Sequence, residues 1–100
     1  MQAGRKIPRG TAAIWEFTLR HRDGSSVSRD AEVRLSLFDA NGVKRLDRVR
    51  LRWCERSLYL FRFEFQVDDD DPLGPWQAEI AVTEAGRCIR LPRRIVFVVV

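Results

Sequence analysis

The sequence predicts an all-β domain, an antiparallel sandwich of about seven strands. Apolar residues recur at every second position in several separate runs, and turn-forming dipeptides lie between those runs. No window of similar length carries a convincing 3.6-residue period. Successive side chains of a strand point to opposite faces, so strict alternation marks a strand with one face in a core. One hundred residues suffice for one domain. Residues 1–100 are therefore read as a single unit, with 1–10 as a less ordered lead-in.

The first alternating run places Trp15, Phe17 and Leu19 on one face and Glu16, Thr18 and Arg20 on the other. Asp23-Gly24 then offers a turn suited to positive backbone φ. Val33, Leu35 and Leu37 alternate with Glu32, Arg34 and Ser36, and Asn41-Gly42 turns the chain again. Val49, Leu51 and Trp53 alternate with Arg48, Arg50 and Arg52. Tyr59, Phe61, Phe63, Phe65 and Val67 form the most aromatic run. Asp71-Pro72 and Gly74-Pro75 break the chain before Trp76, Ala78, Ile80 and Val82. Ala85-Gly86 provides a tight turn before Cys88, and Pro92, which has no N–H for a ladder, predicts a bend or bulge.

The last strand, Ile95 to Val100, is apolar on both faces and reads as a buried closing strand. Left uncovered, it would form a strand-paired homodimer. The expected core comprises Trp15, Phe17, Leu35, Leu37, Leu51, Trp53, Phe61, Phe63, Trp76, Ile80 and Phe97.

Composition excludes several classes. Hydrophobic residues make up 45% and charged residues 32%, which rules out a disordered or low-complexity chain. The longest apolar run, Ile95 to Val100, is far short of the roughly 20 residues of a membrane helix. Arg5, Lys6 and Arg9 precede no apolar stretch, so no signal peptide is read at the start. Cys54 and Cys88 are too few for a disulfide scaffold, and with one histidine, His21, they do not make a zinc site. Whether the two thiols are bridged stays open.

Enzymatic function is not expected. His21 sits beside Asp23-Gly24 and reads as a turn residue rather than a general base. The glycines are scattered singly and form no phosphate loop. No cofactor or metal is expected.

Two charge clusters stand out. Asp68 to Asp71 could supply calcium ligands, but its spacing is unlike an EF-hand and it reads first as a solvated turn near arginines. Between Val43 and Arg56, Lys44, Arg45, Arg48, Arg50, Arg52 and Arg56 face only Asp47 and Glu55, a local balance of +4 that equals the formal charge of the chain. Alternation puts Arg48, Arg50 and Arg52 in a row along one strand face, one every ~6.6 Å. Arg87, Arg90, Arg93 and Arg94 form a second cluster, with no acid among residues 85 to 94. The residues expected beside the row are Leu58, Leu60, Arg62 and Glu64 of the following strand. These arginines suit a protein interface or a polyanion, whose phosphate or sulfate groups guanidinium forks recognise.

The order of features resembles bacterial immunoglobulin-like modules, including macroglobulin-type domains. The resemblance rests on Pro8-Arg9-Gly10 before the first strand, the hairpin Leu37-Phe38-Asp39-Ala40-Asn41-Gly42, Gly74-Pro75-Trp76 at the penultimate strand, and Phe97-Val98-Val99 at the close. It implies an immunoglobulin-like sandwich acting as a non-catalytic protein-interaction or spacer module of a larger protein, periplasmic or at the cell surface. The partner would be another protein or a neighbouring domain. The alternative is a polyanion-binding domain that uses the Arg row.

Overall fold

The computed structural model describes residues 5–25, 27–28, 30–52 and 60–100. The described residues form eight strands in chain order: β1 (Arg5–Ile7), β2 (Ala12–Thr18), β3 (Glu32–Phe38), β4 (Lys44–Leu51), β5 (Leu60–Gln66), β6 (Gly74–Glu84), β7 (Arg87–Arg90) and β8 (Arg94–Val99). Among the described residues there is no helix, and none is therefore long and apolar enough to cross a membrane.

The strands form two sheets. The larger has the order β1-β8-β6-β3-β4, with β7 also pairing β6, and the smaller is the β2-β5 pair. All pairings are antiparallel except β1 with β8. The expected antiparallel arrangement is thus corrected to a mixed one, and Arg5–Ile7 of the expected lead-in supplies the parallel strand. β1 covers the edge of β8 over Phe97–Val99, so that stretch is not the uncovered edge on which a strand-paired homodimer through the C-terminal strand was expected. A strand flanked on both sides has no free N–H and C=O row to offer.

β7 and β8 lie along the same edge of β6, the first beside Ala81–Glu84 and the second beside Gly74–Ala78. The gap between them holds Pro92, where the sequence predicts a bend. Leu91 keeps the two segments aligned by donating its N–H to the Ile80 carbonyl at 2.8 Å. Ala85 and Gly86, at φ 51° and 79°, make the tight β6–β7 turn.

The β3–β4 turn is organised by Asp39. This buried carboxylate accepts the N–H groups of Asn41 and Val43 at 2.9 and 3.0 Å, satisfying donors that a tight turn leaves without ladder partners.

The two sheets share one core. Val33, Leu35 and Leu37 of β3 and Trp76, Ala78 and Ile80 of β6 meet Phe61 and Phe63 of β5, with Phe97 and Val99 closing the side. The alternation read from the sequence points the right faces inward. Trp15 and Phe17 differ: they pack against the core but are only partly buried, because the small sheet has two strands and its margin is open. Their rings stack on each other at 4.5 Å, and Phe17 stacks on Phe61 at 5.6 Å. Trp53 lies outside the described residues.

Gly74 begins β6 at φ 118°, and a Cβ there would sit 3.2 Å from the Ala40 Cβ of the β3–β4 turn. The Gly74→Ala variant is therefore expected to lose about 2 kcal/mol through backbone strain and crowding. Urea denaturation measures this, and an unchanged midpoint would show that the two turns do not constrain each other.

Candidate interaction surface

The outward face of the larger sheet gathers the basic residues. On β3 the inward Val33, Leu35 and Leu37 leave Glu32, Arg34, Ser36 and Phe38 facing out. Arg34 lies opposite Arg50 of β4 on one side and Ala81 of β6 on the other, and Ala81 lies opposite Arg90 of β7. Neighbouring strands are ~4.8 Å apart, so Arg50, Arg34, Ala81 and Arg90 form one line across four strands. Sequence alternation predicts a row along β4; pairing adds one that crosses it.

The β4 strand is not regular. Its register with β3 shifts between Leu35 and Leu37 and again before Phe38. Arg48 occupies the first irregularity at φ 50°, a left-handed conformation uncommon for a non-glycine residue. Its N–H donates to Ser36 Oγ at 3.1 Å, and its carbonyl accepts from Arg34 Nη1 at 2.9 Å. Arg34 also pairs with Glu32.

A groove of about 290 Å³ opens on this face, bordered by Arg34, Ser36, Lys44, Arg48, Glu79, Ala81, Thr83, Cys88 and Arg90. Four cations and one carboxylate border it. Glu79 is engaged by Arg93 at 3.3 Å, and Lys44 pairs with Asp47 at 3.3 Å. Among the described residues, Arg48, Arg50, Arg52, Arg87, Arg90 and Arg94 have no acid within 4.0 Å.

The second cluster divides. Arg90 and Arg93 reach the outward face, where the Arg93 guanidinium lies 3.7 Å from the centre of the Phe38 ring. Arg87 borders a different pocket of about 230 Å³, together with Leu19, His21, Glu84 and Ile89. Arg94 borders a third, beside Trp15 and Phe17. Arg52 is exposed just beyond the end of β4.

The strand expected beside the Arg row is corrected. β5, with Leu60, Arg62 and Glu64, belongs to the other sheet, and β3 is the neighbour of β4. Arg34 and Ser36 were consequently missed as surface partners. Their polar positions in an alternating strand were visible, but only strand order brings them to Arg48 and Arg90. Arg56 and Leu58 lie outside the described residues.

Arg45, counted in the stripe by sequence, turns the other way. Its Nη1 lies 2.7 Å from Asp71 Oδ1 and 3.7 Å from Asp39 Oδ2, and its guanidinium lies 5.2 Å from the Trp76 ring centre. Asp71 is buried. Its second oxygen accepts the Asp68 N–H at 2.7 Å, and its carbonyl accepts Arg9 Nε–H at 2.7 Å. Burial alone would raise the Asp71 pKa, but the Asp68 N–H and the Arg45 guanidinium outweigh it and hold the carboxyl below its ordinary value. The same hydrogen bond and charge raise Arg45.

Asp68, Asp70 and Asp71 bring carboxylate oxygens within 4.8 Å of one another. Asp71 serves there as the anchor of Arg45 and of the turn. His21 is exposed, with Nε2 3.0 Å from Glu84 Oε1. Cys88 is exposed on β7, and Cys54 lies outside the described residues.

No protein-family model matches the sequence, and comparison with curated proteins and with solved structures finds no match either.

Proposed function

We propose that the chain is a non-catalytic immunoglobulin-like module that engages a partner protein or neighbouring domain through the outward face of its larger sheet. The strand arrangement supports the immunoglobulin-like part. In that fold strands C, F and G share one sheet, B and E the other, and C′ extends the first. In this reading β3, β6 and β7–β8 correspond to C, F and G, β2 and β5 to B and E, and β4 to C′, which agrees with the order β8-β6-β3-β4 and the separate β2-β5 pair. The non-catalytic part rests on the sequence, whose single histidine, His21, sits beside the Asp23-Gly24 turn. The resemblance extends the reading to one module of a larger, extracytoplasmic protein.

The observation that carries the interaction is the convergence of Arg48 and Arg90, from separate parts of the chain, on one groove where no described acid lies within 4.0 Å of either. Like charges directly opposite, as at Arg34 and Arg50, cost stability unless compensated; Glu32 does this for Arg34, and no described acid lies within 4.0 Å of Arg50. An acidic partner surface supplies that compensation.

The same convergence favours a second reading, polyanion binding. Single-strand nucleic acid binders present aromatic rings for base stacking, whereas the aromatic on this face, Phe38, is buried beneath Arg93. The test compares a labelled glutamate-rich peptide, a heparin fragment and an oligonucleotide at roughly 50 and 200 mM salt. The peptide is expected to bind best, to weaken about tenfold at the higher salt, and to lose binding in an Arg48→Glu, Arg90→Glu double variant. Tighter binding of heparin or the oligonucleotide would establish the second reading. Silence from all three at the lower salt would overturn both.

A further inference from the structure

The groove contains a more specific device than a general positive field. Ser36 forms part of its lining and is only 7% exposed. Its Oγ accepts the Arg48 N–H, and among the described residues its own hydroxyl hydrogen has no acceptor. A hydroxyl is both donor and acceptor, so a buried donor remains uncommitted at the groove.

The backbone above it is held from both sides. The Arg48 N–H is fixed by Ser36 and its carbonyl by Arg34, at φ 50°. Bulges re-aim side chains, and a non-glycine residue held in a left-handed conformation carries strain that the surroundings must sustain. Here the bulge places Arg48 at the groove beside Ser36. Across the groove, the small Ala81 separates Arg34 from Arg90. Ala81 also borders the groove and adds little side-chain bulk to the line between Arg34 and Arg90.

Resting on the interaction reading above, we propose that this groove seats a single carboxylate from an extended acidic segment of the partner. Ser36 Oγ–H donates to one carboxylate oxygen, and the Arg48 and Arg90 guanidiniums fork onto the group from either side. An extended polypeptide points every second side chain the same way, ~6.6 Å apart. One acidic side chain can therefore enter the groove while the next reaches Arg50. Glu79 at the groove margin disfavours a ligand of dense continuous charge, which would bring anions against it, and leaves a peptide with spaced carboxylates as the complementary occupant.

The experiment measures anisotropy of a labelled peptide of alternating Glu and Ser, with a Gln-for-Glu peptide as control, at roughly 50 mM salt. The key variant is Arg48→Gly, since glycine adopts the positive φ freely and the fold is retained while the guanidinium is removed. Thermal unfolding of every variant checks the fold. Arg48→Gly and Arg90→Ser are expected to weaken peptide binding about tenfold, Ser36→Ala about threefold, and Arg94→Ser not at all. The Gln peptide is expected not to bind.

Wild-type affinity in Arg48→Gly and Ser36→Ala, with loss in Arg50→Ser and Arg52→Ser, would overturn the carboxylate seat while leaving the outward face as the interface. Failure of the wild type to bind the Glu peptide would overturn the interface reading itself. Equal binding of the Gln peptide would overturn carboxylate recognition.

Discussion

The Trp76→Ala variant is expected to lose about 4 kcal/mol, a large part of what holds a domain of this size together. Trp76 is fully buried and joins several elements. Its ring lies 5.5 Å from Phe65 of β5 and 5.4 Å from Phe97 of β8, centre to centre. Its Nε1–H donates to the Pro72 carbonyl at 3.1 Å, so the indole also fixes the chain leading into β6. On one face it meets the Arg45 guanidinium, a cation–π contact that strengthens when water is excluded. Alanine would remove the transfer energy of the ring and leave a cavity that the flanking strands cannot close without breaking their pairings.

Trp76→Phe separates these contributions. It keeps most of the apolar volume but leaves the Pro72 carbonyl without its donor, and is expected to cost about 1.5 kcal/mol. Urea denaturation followed by far-ultraviolet circular dichroism reads both variants. A loss below 1 kcal/mol for Trp76→Ala, on the order expected of a surface change, would mean that Trp76 is not the keystone of the shared core.

The Asp71→Asn variant is expected to lose about 3 kcal/mol near neutral pH, because it leaves the Arg45 guanidinium facing a neutral amide with only the longer 3.7 Å contact to Asp39 Oδ2 as an ion pair. The loss has a defined pH dependence. The Asp71 pKa is lowered in the fold, below the unfolded value of about 3.9. A depressed carboxylate stabilises the fold above its unfolded pKa, and that contribution disappears as pH falls through the folded value. Wild-type stability should therefore fall from about pH 4 downward, while Asp71→Asn loses less over the same interval. The two proteins should approach each other at the acid end. A gap that stays constant from neutral pH to the acid limit would assign the loss to packing and refute the electrostatic account.

Asp71 also shows what a charge run conceals. Four consecutive aspartates look equivalent in the sequence. In the fold, Asp68, Asp69 and Asp70 are exposed while Asp71 is buried against Arg45. The partner is 26 positions away, and no local pattern distinguishes it. Arg45 was legible only as one more cation of the stripe, because the second register shift that turns it inward depends on how β4 meets β3.

The outward face was readable in its ingredients but not in its assembly. Arg48, Arg50 and Arg90 stood out as charged positions, and the structure leaves all three exposed. The groove shared by Arg48 and Arg90 required β3 and β6 to lie between β4 and β7. The expectation that β5 would flank β4 followed chain order, whereas β5 pairs with β2 in the other sheet. The Arg48 bulge was equally hidden: arginine at that position opens the Arg48, Arg50, Arg52 alternation, and no glycine marks a left-handed residue there as Gly42 or Gly86 does.

What the sequence determined by itself was local. Alternation identified which face of β3, β5 and β6 is buried, since pleat geometry acts within one strand. Asn41-Gly42 and Ala85-Gly86 marked turns because positive φ is favoured or tolerated by few residues. Pro92 interrupted the last edge because it lacks a donor. The tertiary structure decided everything that depends on partners distant in the chain: the parallel seat of β1, the transfer of β5 to the second sheet, the burial of Asp71 and the meeting of Arg48 with Arg90. Hydrogen-bond ladders and shared burial couple strands without regard to chain order, so these relations arise only when the whole core closes.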